Sequence, residues 1–371
     1  VQESELRVPH GLRFWGSLFS GFPSIVRRLA NLETRVLAEA IADVAIEQPV
    51  YIAGFARSGS TMLLEAFASH PSFTSHRYSD YPLLWTPYWW NALREQLPLP
   101  ENPPKERAHR DGIAVTQKSP EAFEEVFWMH FFPKRHDPET DQLLDETTSN
   151  RKFEAFYRAH VRKLLAVRRA RRYVAKGNYN VARLGYLQAI FPDARFIVPW
   201  REPLAHVASL LKQDRLFCEA AKLRPEVANH LARTGHFEFG PQARVERIGP
   251  NSQAAMISAN RSAGKSAVAY AMQWADVYGS LLDRFDASPM LRTASHLVSY
   301  EALCTYPQRT LSACFQHANA NDAAGQQIVD TFAGRLRAPD YYQPHFDPET
   351  REEIEERTSA VYARLKEASA N

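Results

Sequence analysis

Glycine is scarce in this chain. Fifteen occur in 371 residues, about 4% where ~7% is usual, so two glycines at a short fixed spacing carry more information than they would elsewhere. Cysteine is scarcer still: Cys218, Cys304 and Cys314 are scattered and odd in number. Without a C-x-x-C pair, neither a zinc knuckle, a redox pair nor a disulfide framework is expected. The thiols point to a cytoplasmic compartment, and a leader removed before Val1 is left open. No apolar run approaches the roughly 18 uncharged residues of a spanning helix, Phe14 to Val26 included, so no membrane span is expected. Neither sign of charge dominates, since the net charge is +3 and charged residues make up 23%. That balance argues against a disordered chain or a protein that coats nucleic acid.

What is present is core-forming material. Apolar residues are 45% of the chain, and its length allows one large or two ordinary domains at about 150 residues each. Residues 1–48 have helical spacing, first in an amphipathic stretch from Phe14 to Leu29 and then in Leu32, Val36, Leu37, Ala40, Ile41 and Val44, and are read as a packing arm. Val50-Tyr51-Ile52-Ala53 is a short strand, Met62 to Ser69 a helix stopped by His70-Pro71, and Pro98 to Pro104 a proline-rich loop. Further on, a basic helix (Phe153 to Arg172), a strand (Tyr173 to Lys176), a helix (Val181 to Ile190) and an apolar strand (Arg195 to Trp200) alternate. Continuous apolar strands alternating with helices indicate an α/β fold whose central parallel sheet is flanked by helices on both faces. A helix from Glu202-Pro203 to about Gln213 follows. Residues 214–262 lack a clear period and are read as an insertion in a single domain, 49–371. Val268 to Phe285 reads as a helix, His296 to Tyr300 as a strand, and Pro348 to Ala368 as a closing helix.

The two informative glycines are Gly54 and Gly59. Gly54-x-x-x-x-Gly59-Ser60-Thr61 between a strand and a helix has the skeleton of a P-loop, whose backbone N–H groups and helix N-terminus hold phosphate oxygens. The lysine that a nucleotide-triphosphatase needs after the second glycine is replaced by Ser60, and the nearest cation is Arg57. The loop therefore suits a nucleotide whose outer group is not a magnesium-bound γ-phosphate. A second anion site is offered by Arg201, which ends a buried strand where α/β sheets bind ligands, and by Ser209, two helical turns later. Gly264-Lys265-Ser266 copies the end of a Walker motif, but Ala259 stands where glycine is required, and it is read as chance.

Together these segments resemble the sulfotransferases that use 3′-phosphoadenosine 5′-phosphosulfate (PAPS), particularly their bacterial and tyrosylprotein branches. Arg57-Ser58-Gly59-Ser60-Thr61 resembles the family's 5′-phosphosulfate loop, and Arg201 with Ser209 its 3′-phosphate motif. Lys176 with Arg183, Phe191-Pro192-Asp193-Ala194-Arg195, and Tyr300-Glu301-Ala302-Leu303 with Pro307 are similar to later family segments in the same order. The resemblance implies a P-loop-containing fold and sulfuryl transfer from PAPS, with no metal, to an acceptor hydroxyl or phenol on a small molecule, glycan, lipid or peptide. It also implies that Lys176 reaches the donor or the transferring group. Family members place a glutamate base some twenty residues beyond the loop, where this chain reads Ser75-His76-Arg77-Tyr78-Ser79-Asp80. Asp80 or His76 is therefore the expected base, with Glu121, Glu124 and His109 as alternatives.

The acceptor pocket is expected near His109-Arg110-Asp111 and Lys118-Ser119-Pro120, or against an aromatic wall of Tyr81, Trp85, Tyr88, Trp89 and Trp90 unless these are core. Eight basic and no acidic residues from Arg162 to Arg183 form either a face that attracts an anionic acceptor or a solvated helix face. Two other functions fit the loop alone: an ATP-dependent P-loop kinase, and a nucleotide-binding protein without catalysis.

Overall fold

Tyr51 and its neighbours show why the first strand is a strand. In a computed structural model of the chain, Val50 and Ile52 pack into one apolar cluster while Tyr51 and Ala53 pack into another. A two-residue period with both faces covered is what a buried parallel strand requires. The same division separates Val174 from Tyr173 and Ala175, and Ile197 from Phe196 and Val198. The structure describes residues 21–97, 103–107, 109–336 and 345–370. The first part of the expected arm and most of the proline-rich loop lie outside them.

In chain order the strands are β1 (Val50–Ile52), β2 (Phe73–Thr74), β3 (Lys105–Glu106), β4 (Ala114–Val115), β5 (Arg172–Lys176), β6 (Arg195–Trp200) and β7 (Ser295–Ser299). β3 and β4 form a small antiparallel pair. The other five make one sheet in the order β2-β5-β1-β6-β7, with every pairing parallel. The chain runs from β1 to the β2 edge, returns through β5 and crosses β1 to reach β6. That reversal opens a crevice beyond the carboxyl ends of β1 and β6, the position at which such sheets bind ligands. Ile52 stands opposite both Lys176 and Ile197, so the loop after β1, Lys176 and the residues after β6 emerge on the same edge.

The principal helices are α1 (Pro23–Val36), α2 (Ser60–Ala68), α3 (Arg151–Arg168), α4 (Pro203–Leu223), α5 (Ser266–Ala287), α6 (Pro307–His317) and α7 (Pro348–Ala370). Tyr157 and Leu164 of α3 and Trp274, Tyr278 and Leu281 of α5 cover one face of the sheet. Leu63, Leu64 and Phe67 of α2 and Phe315 of α6 cover the other, where Phe67 and Phe315 stack at 4.5 Å. Each such side chain, fully buried, contributes about 1.5–3 kcal/mol.

Three expectations are corrected. The helix expected to end near Gln213 continues to Leu223, because Phe217 and Ala220 continue its buried stripe and Phe217 stacks on Phe239. The stretch expected to lack a period contains helices Pro225–Arg233 and Ala254–Ser262. The basic run is not one exposed face either. Lys163 pairs with Glu33 at 2.7 Å with both side chains fully buried, and Arg183 grips Glu125 through two 2.8 Å hydrogen bonds. Arg172 donates to the backbone carbonyls of Gln48 and Ala318. Gly264-Lys265-Ser266 merely opens α5, preceded by a helix rather than a strand.

One interior cation ties the 236–248 segment to the body. His136 is buried, with Nε2 2.8 Å from Glu125 and Nδ1 2.6 Å from Glu246. Burial opposes its charge, but the two carboxylates outweigh burial and push its pKa up to about 9. With the folded value above the ordinary 6.5, the stabilisation is complete below pH 6.5 and is lost as pH rises through 9. Thermal unfolding measured across pH 6–10 is expected to show this decline, and His136→Gln to remove it.

Candidate functional site

Two close approaches shape the loop after β1. A Cβ on Gly54 would meet the Pro199 carbonyl oxygen at 2.5 Å, so only glycine lets the loop lie against the end of β6. Gly59 has φ +93°, and a Cβ there would meet the Tyr300 ring at 2.7 Å. Arg57 also sits at positive φ (72°), a conformation that costs a residue with a side chain about 1–2 kcal/mol. Gly59 leads directly into α2, whose N-terminus has no side-chain cap. Its first N–H groups thus open toward the crevice with the positive end of the helix dipole.

The crevice is a cavity of about 650 Å³ lined by the loop, Lys176, Arg201, Ser209 and Tyr300 together with residues from 107–121 and 236–239. The sequence-predicted Arg57, Lys176, Arg201 and Ser209 thus converge from three strand ends and one helix. Arg57 Nε donates to Ser209 Oγ at 3.4 Å, which links the loop to the second motif. Lys176 Nζ donates to Thr61 Oγ1 at 3.3 Å. The Arg201 guanidinium lies over the Tyr300 ring at 4.6 Å, a cation–π contact that fixes its plane. Ser58 and Ser60 are buried within the loop.

Sequence reasoning missed Arg107 and gave Asp111 no role of its own. Arg107 donates to Thr61 Oγ1 at 3.1 Å, and Asp111 bridges Arg107 and Arg57, the latter at 2.7 Å. Burial opposes ionisation of Asp111, but Arg107 and then Arg57 hold its carboxyl well below the usual carboxylate range. Nothing in the local pattern around Arg107 distinguishes it from a solvated loop residue. His236 and Glu238, from the stretch read as an insertion, also line the cavity.

Arg57, Arg107, Arg110, Lys176, Arg201, Lys212 and Arg335 line this space together with Asp111, Glu121 and Glu238. Such an excess of cations in a partly desolvated crevice suits a ligand with several negative charges. Burial pulls the Lys176 ammonium below its ordinary value, with Glu121 resisting and Arg107 adding to the shift. Burial raises Glu121, but the charge of Lys176 and hydrogen bonds from the Tyr78 hydroxyl and Ala122 N–H leave it below 4.5. His109, also in the wall, is driven well below 6.5 by burial and by Arg107 and Arg57. Among the described residues no cluster of three His, Cys, Asp or Glu side chains could hold a metal ion.

Asp80 and His76, expected at the site, do not line the cavity. Asp80 is 1% exposed. It pairs with Arg168, accepts the Arg77 N–H at 2.9 Å and lies 3.2 Å from His76 Nδ1. Burial works against its charge, but His76 and Arg168 hold the carboxyl well below the usual range. The other ring nitrogen of His76 meets His160 at 3.0 Å, leaving neither side chain free to reach an acceptor. Glu124 is likewise interior, accepting from the hydroxyls of Tyr157 and Tyr173 at 2.5 and 2.7 Å. The expected aromatic wall is mostly packing: Trp85 sits among Phe127, His130 and Phe156, and Tyr81 stacks on Phe123. Lys118-Ser119-Pro120 lines a separate, smaller hollow.

Residues 49–234 match the sequence profile described as the sulfotransferase family. No curated protein sequence matches the chain. Among solved structures, the sulfotransferase STF9 from Mycobacterium avium superposes with a TM-score of 0.54 at 12% identity, covering 90% of this chain and 81% of that one. The sulfotransferase STF1 from Mycobacterium tuberculosis H37Rv gives a TM-score of 0.48 at 16% identity, covering 93% and 86%. The first likeness extends to the fold: a parallel sheet with helices on both faces.

Removing the Asp80 charge leaves Arg168 buried and unanswered, which typically costs about 3–5 kcal/mol. Asp80→Asn is expected to lower the unfolding midpoint strongly, while the fraction that remains folded retains ligand affinity at the cavity. Equilibrium unfolding and ligand titration below the transition check the two halves separately.

Proposed function

The chain belongs to the sulfotransferase family, and on that premise we propose that it transfers the sulfuryl group of PAPS to an acceptor hydroxyl or phenol. The observation that carries this reading is the meeting of Arg57, Lys176 and Arg201 at one cavity, with Arg57 bonded to Ser209. A lysine-less phosphate loop and a second cationic site on the adjacent strand end fit a nucleotide with anionic groups on both its 5′ and 3′ sides.

In this reading the backbone N–H groups of Ser58, Gly59, Ser60 and Thr61 and the hydroxyls of Ser60 and Thr61, with Arg57, hold the 5′-phosphosulfate. Arg201 and Ser209 hold the 3′-phosphate. Asp111 keeps the guanidinium groups of Arg57 and Arg107 turned toward the loop, and Lys176, bonded to Thr61, faces the transferring group. The acceptor oxygen forms a bond to sulfur while the bond from sulfur to the bridging 5′-phosphate oxygen breaks. Adenosine 3′,5′-bisphosphate leaves, and its developing charge is met by the preformed cations. The acceptor proton passes to Glu121, a carboxylate that shares the cavity and the field of Lys176. Glu121 is preferred to Asp80 and His76 as the base because it lines the cavity and they do not. With its carboxyl held below the ordinary glutamate range by Lys176 despite burial, it is ionised in the neutral range and available to accept a proton.

A ligand that binds only the native protein raises its unfolding temperature. Adenosine 3′,5′-bisphosphate is expected to do so and ATP-magnesium is not; Arg57→Ala and Arg201→Ala should each abolish the shift. Stabilisation by ATP-magnesium alone would favour the kinase reading instead. Glu121→Gln is expected to reduce kcat about 10²–10⁴-fold with bisphosphate affinity unchanged, measured as sulfate transfer from labelled PAPS to a panel of phenols, sugars, lipids and peptides. Bisphosphate binding with no transfer to any acceptor would favour a nucleotide-binding protein without catalysis.

A further inference from the structure

Helix α1 turns its charges the wrong way round for an ordinary surface helix. Its one carboxylate, Glu33, is fully buried against Lys163 of α3 at 2.7 Å and also accepts the Trp89 N–H at 2.7 Å. Val26 and Ala30 are buried beside it. Ile25, Leu29, Leu32 and Val36, by contrast, are 53%, 41%, 42% and 64% exposed, and Phe22 just before the helix is 53% exposed. At 3.6 residues per turn these four helical positions fall within about 60° of one another, so they form one stripe rather than scattered contacts. A shallow groove runs along it, bordered by Arg28, Asn31 and Arg35.

The polar residues that α1 exposes are Ser24, Arg27, Arg28, Asn31 and Arg35, with no carboxylate among them. We propose that this face seats the protein on an anionic lipid bilayer. The apolar stripe would enter the boundary between headgroups and acyl chains, while Arg28 and Arg35 along its edge reach lipid phosphates. The internal ion pair supplies the rigidity: Glu33 and Lys163 fix which side of the helix faces outward, so the stripe is presented without any rearrangement. A second copy of the chain is a poorer occupant. In a two-fold contact α1 would bring the same arginines against each other, while its own carboxylate stays buried against Lys163. The inference is independent of the proposed chemistry, because none of these residues lines the cavity.

The test is co-sedimentation of the full chain with vesicles. Binding is expected to phosphatidylcholine vesicles containing roughly one third phosphatidylglycerol and not to phosphatidylcholine alone, and to weaken as salt screens the headgroups. Leu29→Ser with Leu32→Ser, and separately Arg28→Glu with Arg35→Glu, should each weaken binding at least about tenfold. Because these side chains are exposed, both variants should keep the wild-type unfolding temperature and bisphosphate shift. Absence of vesicle binding overturns the proposal, as does binding that the serine variant leaves unchanged, which would locate it in another segment such as residues 1–20. A wild-type dimer that the serine variant converts to monomer overturns it in favour of self-association.

Discussion

The contact on which the site depends is the approach of the loop after β1 to the end of β6. Gly54 lies against the carbonyl of Pro199 so closely that no side chain would fit, and the parallel register sets Ile52 beside Ile197. From that contact follow the turn at Gly59, the direction in which α2 leaves, and the distance between Arg57 and Ser209. Tyr300, just beyond β7, completes the same packing by filling the space over Gly59 while its ring carries the Arg201 guanidinium. Three strand ends are locked together by backbone proximity and one aromatic ring. The cations they bear are therefore positioned before any ligand arrives, which is the condition under which electrostatic stabilisation costs least reorganisation.

Preorganised cations repel one another, and the structure answers this with very few carboxylates. Asp111 serves two arginines at once, and Glu121 and Glu238 temper Lys176. The balance leaves a net excess of positive charge in a cavity that excludes much of the solvent, so a polyanionic ligand would complete the arrangement. The depressed pKa values of Lys176 and His109 have the same origin: burial combined with neighbouring guanidinium groups.

Charges used for architecture are kept apart from those at the cavity. Glu33 with Lys163, Asp80 with Arg168, and Glu125 with Arg183 are buried pairs linking segments distant in sequence, and His136 joins Glu125 to Glu246 of the 236–248 segment. Buried pairs of this kind contribute little net stability compared with apolar packing, but removing one partner is costly. They hold α1, the Tyr78–Asp80 turn and the 236–248 segment in fixed positions around the sheet. In α1 the arrangement has the further effect of leaving an apolar stripe outside.

The sequence by itself determined the elements whose physics is local. Short, continuous apolar runs at Val50–Ala53 and Phe196–Trp200 marked the buried strands, and scarce glycines at Gly54 and Gly59 marked the loop after β1. A cation at the end of an apolar strand marked Arg201. Each of these signals is written within a few neighbouring residues, since strand burial, turn geometry and helix starts depend on short-range periodicity and on backbone freedom. Only the tertiary structure decided which polar side chains face the cavity. Asp80 and Glu121 are both carboxylates in irregular segments after the loop, and nothing in their flanking residues separates them. One meets Arg168 from a helix 88 positions away, while the other looks across a crevice toward Lys176. Ionisable groups take their roles from the charges and solvent around them, and those neighbours are supplied by strand order and helix packing rather than by adjacency in the chain.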